Sequence, residues 1–254
     1  MMRFIFGLLA AILLCACMSV HKPDVADRYD RYGVVVAHDT VSRSIFLVFS
    51  ADSLFEGAPT ILDALDERDI RGNFFFTGNF LERVENRSVI QRIISAGHYV
   101  GGHGNRHLLL ADWDADRSPL VSTDSLLADV RANICALGTY GITPDRCRWF
   151  MPSYEWIAAE QVQPLCDSLG LKVINPTPEL LTFRDYTTPD MPDYFSSDTI
   201  INQLFDYERT NGLNGAIVII HPGTQNKRID KLYNHLPMLL DSLSSRGYSF
   251  ERLP

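Results

Sequence analysis

From Ser44 onward, short runs of β-branched and aromatic residues alternate with stretches of helical spacing, and this alternation constrains the fold more than any other feature of the chain. The strand-like runs are 44–51 (SIFLVFSA), 72–77 (GNFFFT), 99–102, 148–151, 172–175, 215–220 (GAIVII) and 248–252. Helical spacing predicts helices over 59–67, 80–96, 122–137, 157–169, 198–211 and 229–244, the third opened by Ser122 or Thr123 as N-cap. Strands and helices in alternation predict an α/β fold with a parallel sheet, barrel or open, and helices outside it. The segment 175–197 is long, Pro-rich and irregular, and a loop of that length inside a compact domain is more often functional than idle.

The N-terminus carries a targeting pattern. Arg3 supplies a basic n-region, residues 4–14 an apolar stretch, and Leu14-Cys15-Ala16-Cys17 resembles a bacterial lipobox. Residues 1–17 therefore read as a lipoprotein signal peptide, with Cys17 the lipidated first residue of an exported chain held at the cell envelope by its lipid. Residues 18–42, polar and without sustained periodicity, read as a tether, and 43–254 as one domain. A chain of 254 residues with 46% hydrophobic composition can bury one large core. The net charge of −8 and the lack of any basic run argue against a nucleic-acid partner, whereas a neutral glycan suits that balance. Cys135, Cys147 and Cys166 match no metal-site spacing; one disulfide with a free thiol and three separately buried thiols are both open.

Polar side chains at the C-terminal ends of parallel strands converge on one mouth of the sheet. Three such ends stand out: Asp52 after FLVFSA, His103-Gly-Asn-Arg-His107 after YVGG, and His221 after GAIVII. The glycines make a helix improbable around the two histidines, but a tight loop converges two imidazoles equally well. With Asp52 they form a His, His, Asp set suited to zinc or a related divalent ion, with positions left for water and substrate.

These motifs, in this order, resemble the NodB homology domain of the polysaccharide deacetylases. The stretch FLVFSADSLFEGAPTILDALDERDIRGNFFFTGNFL is similar to the family's opening, in which a strand ending T-F-D-D-G precedes a helix and a strand of the form T-F-F-x-T-G. His103 to His107 resembles its H-x-x-x-H metal motif, Phe150-Met-Pro-Ser-Tyr154 stands where the family has R-P-P-Y, and Ile219-Ile220-His221 resembles its late strand with a catalytic histidine. The resemblance implies a distorted (β/α)7 barrel that removes acetyl groups from glycans. It also implies Asp52, His103 and His107 as ligands of a divalent metal, most simply zinc, and His221 as the acid serving the leaving group.

The pattern departs from the family at two places. Without a gap, Asp52 falls on the second Asp of the opening motif, so Ala51 takes the place of the catalytic base, and Met151 the place of the Arg that braces it. Two expectations follow. Another carboxylate replaces the base, with Glu56 and Glu155 as the nearby candidates and Asp185 and Asp190 as further ones; or the barrel keeps its metal and serves as a glycan-binding protein. Tyr154, Trp156 and Trp113 are the candidate substrate-binding aromatics, on which sugar rings would stack, and Asn105 and Arg106 stand between the two histidines.

Overall fold

The computed structural model describes residues 26–254. The expected signal peptide and the expected lipidation at Cys17 lie outside them. The strands are β1 (Arg28–Tyr29), β2 (Val35–Ala37), β3 (Ser44–Ala51), β4 (Asn73–Phe76), β5 (Tyr99–Gly102), β6 (Trp149–Phe150), β7 (Lys172–Val173), β8 (Ala216–Ile219) and β9 (Ser249–Phe250). The helices are α1 (Ala58–Asp66), α2 (Gly78–Glu82), α3 (Arg87–Ser95), α4 (Thr123–Gly138), α5 (Ala159–Leu169), α6 (Ser197–Asn211) and α7 (Leu236–Ser245).

One mixed sheet runs in the order β1-β2-β8-β3-β4-β5-β6-β7, with β9 beside β3. Pairing is parallel from β8 through β7, and β2 joins β8 antiparallel. The sheet curls until its ends meet: Val35 bridges Ile174, and the Asn175 N–H donates to the Val35 carbonyl at 2.9 Å. The expected distorted barrel is therefore present. It includes a stretch read from sequence as tether, because Val34 to Ala37 are buried and lie in the strand that completes the curl. Polarity misled there: Arg28 and Tyr29 face outward from a two-residue strand, and only the short VVVA run reports burial.

Strand alternation divides the core. Leu47 and Phe49 pack with Ile61, Leu65, Leu204 and Leu240 in the layer between sheet and helices, whereas Phe46 and Val48 pack with Phe75, Trp149, Met151 and Ile219 on the other face. Helix α4 begins where Ser122 caps it, its side chain accepting from the Ser125 N–H. The expected helix from 229 begins at Leu236, after a 3-10 turn over Leu232–His235. The long segment 175–197 is ordered into two 3-10 turns, Pro178–Leu180 and Thr182–Tyr186. Fully buried Arg228 holds its far end, donating to the carbonyls of Thr187 at 2.7 Å and Phe195 at 2.9 Å. Cys135, Cys147 and Cys166 are free thiols; Cys147 is buried and Cys135 exposed, so among the described residues neither a disulfide nor three buried thiols is found.

Candidate active site

Strand register assembles the site. Ala51 lies opposite Phe76, Phe76 opposite Gly102, and Gly102 opposite Phe150, so these strands end level with one another. The residues that follow, Asp52, Thr77, His103 and Met151, emerge at the same mouth. β8 runs beside β3 and brings His221 there too, with the Ile220 N–H donating to the Val48 carbonyl. A pocket of about 870 Å³ opens at this end, lined by Asp52, His103, His107, Glu155 and His221 and walled by Trp113, Tyr154 and Trp156.

The loop after β5 is fixed from below. Gly104 takes φ +80°, a left-handed turn that glycine adopts without a Cβ penalty. Buried Asp129 of α4 accepts from the backbone N–H of Asn105 at 2.7 Å and of Arg106 at 3.3 Å, and also from the Arg106 side chain. Ser153 donates its hydroxyl to the His103 carbonyl at 3.0 Å. Asn105 and Arg106, left without a role by sequence, thus anchor the histidine loop through their backbone amides.

The ligand candidates have the protonation a cation requires. His103 Nδ1 lies 2.9 Å from the Met151 carbonyl, which can only accept, so that nitrogen carries the proton and Nε2 is left as a lone-pair donor. Burial, reinforced by His107, pushes the His103 imidazole down to about 3, and burial lowers His107 as well, so both rings are neutral near pH 7. Their centroids are 5.1 Å apart. Asp52 Oδ1 accepts from Thr77 Oγ1 at 2.9 Å and Asn79 Nδ2 at 3.1 Å, which leaves Oδ2 without a protein donor among the described residues. No three His, Cys, Asp or Glu side chains are already gathered to metal-holding distance among the described residues. The donor chemistry nevertheless fits a divalent ion: two neutral imidazoles and one free carboxylate oxygen line one pocket.

His221 is prepared differently. Its Nδ1 lies 2.5 Å from Asp185 Oδ1 and its backbone N–H donates to Asp185 Oδ2 at 2.8 Å. Burial works against the charged imidazole, but the Asp185 carboxylate outweighs it and raises His221 to about 9, so the ring is an imidazolium at neutral pH. Asp185, a further base candidate from sequence, is thereby committed to His221. Glu155 stands in the same wall, and its electrostatic partners are His221 and Asp185. Burial pushes its carboxyl up to about 7, opposed by His221 and reinforced by Asp185.

Glu56 is not brought to the pocket. Its carboxylate accepts from the Thr224 N–H at 2.9 Å and Lys231 Nζ at 3.1 Å, and these bonds outweigh its burial and hold it below the usual range. Asp190 is likewise drawn away, to Lys227 at 2.8 Å. Ala51 lines the pocket without any proton acceptor in its side chain, and Met151 is wholly buried in the apolar core.

The aromatic candidates form one cluster. Trp113 is 59% exposed and Tyr154 45%, so both offer ring surface. The Tyr154 centroid lies 4.4 Å from His107 and 6.1 Å from Trp113, and Trp113 lies 5.2 Å from Trp156. Trp156 is more committed, donating its indole N–H to the Asp112 carbonyl at 2.8 Å. Tyr186 stands on the other side, 5.8 Å from the His221 ring. His107, Arg117, Tyr154 and Glu155 all line this pocket at positive φ between 53° and 61°, a strained backbone that persists where surrounding structure enforces it.

Comparison with known proteins bears on the family and the fold. The sequence model described as polysaccharide deacetylase matches residues 37–173. A chitin deacetylase of Colletotrichum lindemuthianum is 30% identical over 96% of this chain and 90% of its own length. A peptidoglycan-N-acetylglucosamine deacetylase of Bacillus cereus is 21% identical over 89% of this chain and 72% of its own length. Among solved structures, a Bacillus anthracis protein described as a carbohydrate esterase family 4 pseudoenzyme superposes with a TM-score of 0.66 at 19% identity, over 86% of this chain and 66% of that one. A mutant of that pseudoenzyme is described as having restored enzymatic activity.

Proposed function

The chain belongs to the polysaccharide deacetylase family, and from that premise we propose that it is a metal-dependent hydrolase removing N- or O-linked acetyl groups from a carbohydrate at the cell envelope. The observation that carries this reading is one pocket that places Glu155 and His221 beside Asp52, His103 and His107, with His221 Nδ1 2.5 Å from Asp185 Oδ1; burial raises the Glu155 carboxyl to about 7, and Asp185, outweighing burial, raises the His221 imidazole to about 9. Two titratable groups set on opposite sides of working pH are an acid–base couple.

Asp52, His103 and His107 would hold the divalent ion, zinc in the simplest case; when bound, it polarises the acetyl carbonyl and lowers the pKa of water. Glu155 acts as general base. Its carboxylate takes the proton of the attacking water, the task that Ala51 cannot perform. His221 acts as general acid and delivers a proton to the departing amine or alkoxide, while Asp185 holds the ring in orientation and keeps it charged until transfer. Trp113 and Tyr154 offer aromatic faces to the sugar, with Trp156 behind them. The sequence of residues 14–17 supports anchoring through lipid on Cys17, and the deacetylase named in Bacillus cereus acts on peptidoglycan, which supports an exported location.

The test is acetate release by the zinc-loaded chain from acetylated oligosaccharides and small acetyl esters, with and without chelator. Release that is abolished by chelation, by Glu155→Gln and by His221→Ala supports the reading. A second reading, a glycan-binding protein with little hydrolysis, is favoured by Ala51 and Met151; glycan affinity without acetate release from any substrate would establish it and remove the first.

A further inference from the structure

Glu155 sits on a turn whose conformation its own residues do not favour. Tyr154 and Glu155 follow one another at φ 61° and 53°, in the left-handed region where a Cβ crowds the backbone. Such a turn persists only where its surroundings hold it. Within it, the Glu155 N–H donates to the Pro152 carbonyl at 2.9 Å and the Trp156 N–H to the Ser153 carbonyl at 3.3 Å. The Glu155 carboxylate lines the pocket and accepts no hydrogen bond among the described residues, so the backbone that carries it sets where it points. From outside the turn, Asn175 is the side chain that bonds this backbone: its Nδ2 donates to the Glu155 carbonyl at 2.8 Å.

Asn175 is itself fixed. It follows β7 at the seam where the barrel closes, its own N–H donates to the Val35 carbonyl at 2.9 Å, and Pro176 after it disfavours any helical conformation there. It is buried, and its Oδ1 has no donor. Turning the amide over would set that oxygen against the Glu155 carbonyl, two acceptors facing each other, so the orientation present is the one that serves Glu155 and leaves Oδ1 orphaned. We propose that Asn175 is a positioning residue for the hydrolysis: from the closing seam of the barrel it holds the left-handed turn that aims the Glu155 carboxylate at the attacking water. This rests on the hydrolase reading above, with Glu155 as its base, and adds the group that keeps the base in place.

The experiment is a kinetic double-mutant cycle on the zinc-loaded full chain: wild type, N175L, E155Q and the pair together, with kcat and KM for acetate release from one acetylated oligosaccharide. Rates are referred to the zinc-binding fraction, so that partial unfolding does not pass for lost catalysis. N175L, close to Asn in shape but without a donor, should lower kcat by about 10 to 100-fold, the loss expected from a misplaced catalytic group, with KM within about twofold. In the E155Q background the same substitution should cost less than about twofold, because the group it positions is already gone. N175D, which turns an oxygen toward the carbonyl, should behave as N175L does and decides the matter if N175L fails to fold. An unchanged kcat, a loss confined to KM, or an equal loss in both backgrounds would overturn the role of Asn175 and leave the hydrolase standing. Release by the wild type that survives E155Q would remove Glu155 as base and Asn175 with it. No release by the wild type removes the hydrolase reading itself, and this role falls with it.

Discussion

Each chemical role in this pocket is set by what a side chain touches. Two histidines are made neutral by burial, while a third is made cationic by one carboxylate. If Glu155 must be ionised and His221 protonated, kcat/KM should rise with pH through about 7 and fall through about 9, a bell with its plateau between. Asp185→Asn should draw the descending limb down from 9 toward the ordinary imidazole value of 6.5 and so narrow the bell; a descending limb that stays at 9 would remove Asp185 from this role. The same contact appears in stability. His221 has a folded pKa of about 9 above an unfolded value of 6.5, so its contribution is fully present below 6.5 and is lost as pH rises through 9. Chemical denaturation at a series of pH values should show that loss in the wild type and a flatter curve in Asp185→Asn. Glu155→Gln should lower kcat by roughly 10² to 10⁴-fold without lowering zinc affinity, the loss expected when a general base is removed.

At the scale of elements, the site is a set of strand ends and the loops braced behind them. The strand ends were legible because apolar runs stop abruptly at Asp52, His103 and His221, and burial on both faces leaves a continuous signal. The bracing was not. Asp129 sits on the face of α4 that meets the histidine loop, 24 residues from Asn105, and sequence cannot tell such a buried carboxylate from a solvated one. The pairing of Asp185 with His221 spans 36 residues, so sequence offered Asp185 as a base and missed it as the partner of His221. Glu56 and Glu155 looked alike from sequence; Lys231 and Thr224 claim one, and the barrel mouth encloses the other. Asp129→Ala would leave the part-buried N–H of Asn105 without its acceptor, at a cost of up to about 1–3 kcal/mol. Zinc affinity should fall by roughly 10 to 100-fold as the loop loses its support. Thermal unfolding and a metal titration check the pair, and a destabilised variant that binds zinc normally would show that the loop needs no brace.

For the molecule as a whole, the question is what a family barrel becomes if Ala51 and Met151 fill the positions of its base and brace, as the ungapped register of the opening motif proposes. The two losses differ in kind. Ala51 borders the pocket, so a carboxylate there could reach solvent, whereas Met151 is fully enclosed among Val48, Phe75, Tyr99 and Trp149. Introducing a guanidinium into that core strands a charge, which costs several kcal/mol unless a counter-ion lies within reach. M151R alone should therefore be strongly destabilised, A51D alone mildly so, and the double variant should recover part of the loss if positions 51 and 151 face one another as the family register implies. A double-mutant cycle by chemical denaturation reads this as a coupling beyond about 1 kcal/mol, and additive costs would refute the register. Acetate release by the same four proteins then decides the chemistry. If the natural chain already turns over and the double variant gains little, Glu155 has taken over the work of the base. If only the double variant releases acetate, the natural protein has kept the metal-ligand pattern and the aromatic wall for holding a glycan.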